Sequence, residues 1–328
     1  MKFIALSITF AVFLAAVSSS VISGKSADKI QTGLSDTPSM SVTALESSVP
    51  NNDTSKKTKT KKGKRKDKAL LSADRSGAQQ PQAAAGDAKE LAKQLANPIS
   101  SLISLPIQIN YDHDMGATRE GSRITMNVQP VVPFSLNEKW NLISRTILPV
   151  IHQEGVTGTD QSQTGIGDVV QSIFFSPKKI TPFIWGAGPV VLIPTAFNNL
   201  GAKQLGIGPT FVALKQQGGW TYGALYNHIW GVAGGSGRPK VNSDFIQPFL
   251  AYGTKSAWTF SFNTESSYDW NTGKWSVPIH LVASKLIRVG AQPISLQAGL
   301  RCWATSPDGG PKGCGPRIAI VFLYPIKH

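Results

Sequence analysis

Two cysteines, five histidines and a sparse set of arginines and carboxylates are the residues able to do chemistry in this chain. The histidines are His113, His152, His228, His280 and His328. None is spaced from a cysteine, carboxylate or second histidine as a metal site requires. Gly-x-Ser-x-Gly is absent, and Gly234-Gly235-Ser236-Gly237 reads as a flexible loop rather than a nucleophile elbow. Catalysis needs a nucleophile, a base and an orienting group within reach of one another. No such set is visible, so no enzymatic activity, no metal and no cofactor are expected. His228 alternates with Tyr226 and Trp230, which places it in an aromatic band. Cys302 and Cys314 lie symmetrically about Asp308 and share a strand face with Leu300 and Ile318. In an oxidising compartment they are expected to bridge, a loop closure worth about 3 kcal/mol in the chain-entropy model.

The charged residues are more informative. Arg123, Glu265, Arg301 and Arg317, with Asn263, Gln297 and Gln129, fall on the polar side of segments whose other side is apolar. Arg145 is ambiguous. In a closed barrel such residues point inward. There they tune what passes, or they pair with one another and fill the interior; the sequence leaves both open.

The elements that would position them are strands. Trp258, Phe260 and Phe262 share one face, and Thr259, Ser261, Asn263 and Glu265 the other. The same period of two recurs at 105–112, 124–129 and 294–301, as a half-buried strand requires. Twelve segments qualify: 102–111, 122–134, 140–152, 165–175, 183–194, 205–215, 220–232, 244–253, 258–269, 275–288, 292–303 and 315–325. Most reach ten residues, against a mode of about 5–6 in soluble proteins and the roughly 9–11 that a tilted membrane strand needs. Connections after odd strands, except the short one after strand nine at 270–274, are longer than those after even strands, the pattern of outer-membrane barrels. Tryptophans and tyrosines gather at strand ends: Trp140, Trp220, Trp258 and Trp275 at starts, Tyr111, Trp230, Tyr268 and Trp303 near ends. Two interfacial girdles would be built this way. Seven prolines inside the strands, Pro106, Pro130, Pro149, Pro189, Pro209, Pro248 and Pro278, fit poorly, because proline donates nothing to a ladder. The expected fold is all-β, an antiparallel transmembrane barrel of about twelve strands over 99–328.

What precedes the barrel is different in kind. Lys2 and the apolar stretch Phe3–Val17, followed by small residues, read as a signal peptide over 1–20. Residues 21–82 are polar and read as a disordered basic linker. Residues 83–98 favour a short helix, with Leu91 and Leu95 on one face, to dock at the barrel mouth or to act as a spacer. The net charge is +14, and nine Lys or Arg crowd into Lys56–Lys68. Such a run suits nucleic acid in a cytosolic chain. In an exported one no nucleic acid is expected, and the run suits anionic lipid, cell-wall polymer or a solvated tether. Twelve strands put both barrel termini in the periplasm.

With the strands laid out, the chain resembles the outer-membrane barrels named for the phenol-degradation meta-pathway. The matching stretches are 97–106, Gln129-Pro130-Val131-Val132-Pro133-Phe134, 140–150, Ile184-Trp185-Gly186-Ala187-Gly188-Pro189, Trp220-Thr221-Tyr222-Gly223, Asn227-His228-Ile229-Trp230 and Ser306-Pro307-Asp308-Gly309-Gly310-Pro311. The resemblance covers about 88–328. It implies an exported barrel embedded in outer-membrane lipid, acting as a passive pore or transporter for small, possibly hydrophobic solutes, and it brings no catalytic residues. The alternative is an anchoring protein with a plugged lumen and a wall-binding basic tether. Two features depart from the family: the run at 56–68, and a C-terminus that ends Tyr324-Pro325-Ile326-Lys327-His328 rather than on an aromatic.

Overall fold

A computed structural model describes residues 80–179 and 181–325, with side chains from Ala88 onward. The signal peptide, the basic linker up to residue 79 and His328 lie outside the described residues. Helix α1 spans Gln80–Leu95, three residues earlier at each end than the expected 83–98. Asn97-Pro98 follow it, and the Asn97 side-chain oxygen accepts the Ile99 N–H at 3.0 Å, turning the chain away.

Among the described residues twelve strands follow: β1 Ile103–Met115, β2 Gly121–Val128 continued by Val131–Ser135, β3 Trp140–Glu154, β4 Ser162–Ile166 continued by Val169–Pro177, β5 Phe183–Ile193, β6 Gln204–Gln217, β7 Trp220–Gly234, β8 Asn242–Gly253, β9 Trp258–Thr264 continued by Ser266–Asp269, β10 Lys274–Val289, β11 Gln292–Thr305 and β12 Cys314–Tyr324. Each pairs antiparallel with its sequence neighbour. The seam closes between β1 and β12, from Ile103 opposite Tyr324 to Asn110 opposite Arg317. No edge is left exposed for another chain to extend. All twelve segments read from the sequence are present, and most run one to four residues further.

Proline is accommodated in three ways. Pro130 falls in the break between the two pieces of β2. Pro278 sits where the β10–β11 register shifts, beside Val277. Pro189 and Pro209 lie directly opposite each other, so neither strand asks the other for an N–H there. Connections after odd strands span four to ten residues and those after even strands two to five, so the alternation holds but is weaker than the sequence implied. The two-residue turns after β6 and β10 open on Gly218 and Gly290, both at φ 60°, a left-handed conformation that glycine enters without a Cβ penalty.

Register fixes the faces. Leu296, Ala298, Leu300 and Cys302 on β11 point outward beside Ile320, Ile318, Pro316 and Cys314 on β12, while Gln297, Gly299 and Arg301 point inward. The outer face is apolar and exposed, with Phe211, Phe260, Phe262, Leu281 and Ile318 among its largest patches. Aromatics crowd both rims: Trp140, Trp220, Tyr252 and Trp258 at the short-turn end, Tyr111, Trp230, Tyr268, Trp270 and Trp275 at the long-loop end. Trp303 is a correction to the expected girdle. Its indole turns into the lumen and donates to Asp112 at 2.7 Å.

Candidate functional site in the lumen

The inward face carries a layer of charge. Asp112, at the inner end of the Gln108–Asn110–Asp112 alternation, receives Trp303 Nε1 and faces Arg301 Nε at 3.0 Å. Glu265 sits at the break in β9 and takes Arg317 Nη2 at 2.6 Å, with Arg301 Nη1 at 3.8 Å. Arg317 also donates to Gln108 Oε1 at 2.6 Å. Arg301 stacks over the Trp303 ring at 4.7 Å. The two Arg317 contacts are hydrogen bonds of the strong kind for a guanidinium withdrawn from bulk water, while Arg301 is held by ion pairing and by the Trp303 ring.

The sequence-derived candidates fall in four places. Glu265, Arg301 and Arg317 come together in this layer. Arg123 also points inward, opposite Gln153, and donates twice to its Oε1 at 2.9 and 2.6 Å. Asn263 accepts from His280 Nδ1 at 2.7 Å, which assigns the proton to Nδ1. Gln297 lines a cavity nearer the short-turn end. Asp112, Gln108, Gln153 and His280 were missed. The alternation at 105–112 already puts Gln108 and Asp112 on the polar side with Asn110, but it does not tell which of them meets a charge. The ambiguous Arg145 points inward, opposite Val131 on β2 and Ser172 on β4. Four guanidinium groups therefore share the mid-lumen with two carboxylates, and the interior is electropositive.

Cys302 and Cys314 are joined, with S–S 2.08 Å, on the outward face of the long-loop end. The loop they close is tied further by Ser306 donating to Pro311 O at 2.7 Å and Arg119 donating to Gly310 O at 2.8 Å.

The short-turn end is covered from inside. Leu91 of α1, with Ala88 and Leu95, packs on Leu102, just before β1, and on Leu286, Val321 and Leu323, inward residues of β10 and β12. Ile99, a few residues later, packs with Ile143, Phe174, Val212, Leu214 and Leu225 on β3, β4, β6 and β7. The segment 88–102 thus reaches from one side of the wall to the other. Gln216 of β6 donates to Lys93 O at 2.9 Å and fixes the helix between them. Two cavities remain beneath it, of about 220 and 140 Å³, and Arg145 lines both.

On the outer face, His228 Nδ1 meets Asp244 Oδ1 at 2.6 Å, and Tyr226 and Trp270 also donate to that carboxylate. An oriented imidazole of this kind serves catalysis only when its other nitrogen faces a nucleophile. His228 Nε2 is buried without a hydrogen-bond partner. Among the described residues no cluster of three or more His, Cys, Asp or Glu is placed to hold a metal.

No family model matches the chain, and no curated protein matches it. Solved structures do. An outer membrane channel from Pseudomonas putida F1 superposes with a TM-score of 0.54 at 14% identity, covering 69% of this chain and 97% of its own. The NanC porin gives 0.42 at 13% identity, over 68% of this chain and 100% of its own. The outer membrane phospholipase A from Escherichia coli gives 0.41 at 10%, over 67% and 90%. At these identities the first match establishes the closed-barrel fold.

Proposed function

We propose that the chain is an outer-membrane barrel of the phenol meta-pathway type and acts as a passive conduit for small solutes. The carrying observation is the opposition of faces in one closed wall: an apolar outer belt rimmed by aromatics, and an electropositive interior that retains open volume. A continuous apolar belt on a closed sheet is stable against lipid, because every backbone group is satisfied within the wall. In this reading the long loops face outside, the short turns and both termini face the periplasm, and α1 narrows the periplasmic mouth. The basic run Lys56–Lys68 then lies on the periplasmic side, where anionic lipid headgroups or cell-wall polymer are its partners. The reading assigns the chain no catalytic step.

The resemblance to the family and the shape of the Pseudomonas putida channel support the conduit. The ionic layer and α1 favour the alternative, an anchor whose interior is filled. Planar-bilayer conductance of the full-length protein, first shown to be folded by its heat-dependent gel mobility, decides between them. Discrete openings support the conduit. Folded protein that never conducts leaves the anchor.

A further inference from the structure

Arg145 is the lumenal cation whose chemistry is left unused. Its hydrogen-bond partner among the described residues is the Gln129 side-chain amide oxygen, Oε1, at 3.3 Å. A guanidinium offers five donors, and removing it from bulk water is costly unless an anion or several acceptors replace the hydration. The inward carboxylates are committed elsewhere, Asp112 to Arg301 and Trp303, and Glu265 to Arg317 and Arg301. Arg145 instead faces the 220 Å³ cavity beneath α1, whose lining contains no Asp or Glu. That volume far exceeds the ~10–15 Å³ that one water needs. Its walls are of two kinds. Ser284 and Gln297 offer hydroxyl and amide groups, while Leu95, Phe249 and Leu286 offer apolar surface.

We propose that this chamber binds a small organic anion, a carboxylate carried on a compact apolar body. The carboxylate sits on the Arg145 guanidinium, whose planar fork matches two oxygens at once. The body lies against Phe249, Leu95 and Leu286. A cation is disfavoured because no carboxylate lines the chamber. A neutral apolar solute leaves Arg145 desolvated and unpaired. A small inorganic anion leaves the apolar wall unfilled. As a statement of which solutes pass, the inference rests on the conduit reading; as a statement of binding, it does not.

The test is calorimetric titration of the folded, full-length protein in detergent with benzoate, benzyl alcohol and acetate as probes. Benzoate is expected to bind at least tenfold more tightly than either of the others. Arg145→Gln should weaken benzoate tenfold or more and leave benzyl alcohol unchanged. Arg145→Lys, which keeps the charge but loses the fork, should fall between. Equal binding of benzoate and benzyl alcohol by the unaltered protein overturns the proposal, as does unchanged benzoate affinity in folded Arg145→Gln. If Arg145→Gln does not fold, the ranking of the three probes and the Arg145→Lys affinity decide. Protein that conducts but does not bind benzoate keeps the conduit and loses this site. Protein that binds benzoate but never conducts keeps the site and loses the conduit.

Discussion

Arg317 on β12 and Glu265 at the break in β9 meet at 2.6 Å although three strand steps separate them around the wall. Side chains so far apart along a sheet touch only where the sheet is strongly coiled and both point to its concave side. The contact therefore reports closure as well as charge pairing. The bare backbone of β11 between them helps: Gly299 faces inward opposite Arg317, and a Cβ there would fall 2.1 Å from the Leu281 carbonyl oxygen.

Glu265→Gln is expected to remove the charge that holds Arg317 and the longer arm of Arg301. One-sided loss of a buried ion pair leaves an uncompensated cation, and about 3 kcal/mol is the scale of that cost. Arg301 retains Asp112, which keeps the effect at that end of the range. Urea unfolding of the protein in lipid vesicles measures it. Reversal potentials in a salt gradient should shift toward anions by the same substitution, because the lumen then holds four arginines against one carboxylate. An unchanged midpoint and an unchanged potential would show that the pair contributes to neither.

The wall was legible in the sequence and the interior only partly. Period-two alternation specifies strand faces without regard to partners, so Trp258–Glu265 and Ile294–Arg301 declare themselves locally. The same rule placed Arg123, Glu265, Arg301 and Arg317 inward. It does not tell which inward residues meet, since Glu265 and Arg317 are brought together by ring closure rather than by spacing. It also fails at bulges. The break at Gly167-Asp168 resets the phase of β4, so Gln163, opposite inward Gln153, and Ser172, opposite inward Arg145, both face the lumen although nine residues separate them, and a segment that crosses such a break gives conflicting faces. Trp303 was misassigned for a different reason. Position near a strand end is a girdle signal, but its phase matches Arg301, and a buried carboxylate at Asp112 gives its indole N–H a partner inside.

Reduction of the Cys302–Cys314 bridge is expected to cost no more than about 3 kcal/mol, the chain-entropy value for so short a closed loop. The loop has other restraints, including Ser306 to Pro311, Arg119 to Gly310 and the Lys274–Asp308 ion pair. The reduced barrel should therefore remain folded, with a lower unfolding midpoint. Comparing urea titrations with and without reductant, alongside a count of free thiols in the oxidised protein, checks this. Two titratable thiols before reduction would remove the premise.

Asp308 lies in the β11–β12 loop, fully exposed, and the hydrogen bond from the Lys274 ammonium holds its carboxyl below the ordinary carboxylate range. A depressed folded-state value means that the pair stabilises above the unfolded value of about 3.9 and loses that contribution as pH falls through the folded value. Lys274→Gln should move the Asp308 titration, followed by carboxyl carbon NMR, up toward the ordinary range. High salt should do part of the same in the unaltered protein, since exposed pairs are screened. A titration that ignores both changes would show that the contact is absent in solution.

The contact that holds α1 against the inner wall is Leu91 against Leu286, Val321 and Leu323. The α1 sequence around it is Lys-, Ala- and Gln-rich, and one helix of sixteen residues is marginal by itself in water. Its position therefore depends on the apolar contact of Leu91, with Ala88 and Leu95, and on the Gln216 hydrogen bond to Lys93. Leu91→Asp places a charge among four aliphatic side chains and removes an apolar contact worth about 2 kcal/mol. The helix should then leave the inner wall, while the strands, which pair without it, stay closed. The expected result is a several-fold rise in single-channel conductance with heat-dependent gel mobility preserved. Leu91→Met, which keeps volume and polarity, should leave conductance as it was. Equal conductance in Leu91→Asp and the unaltered protein would place the constriction higher, in the Arg317–Glu265 layer, and would make Glu265→Gln the substitution that widens the path.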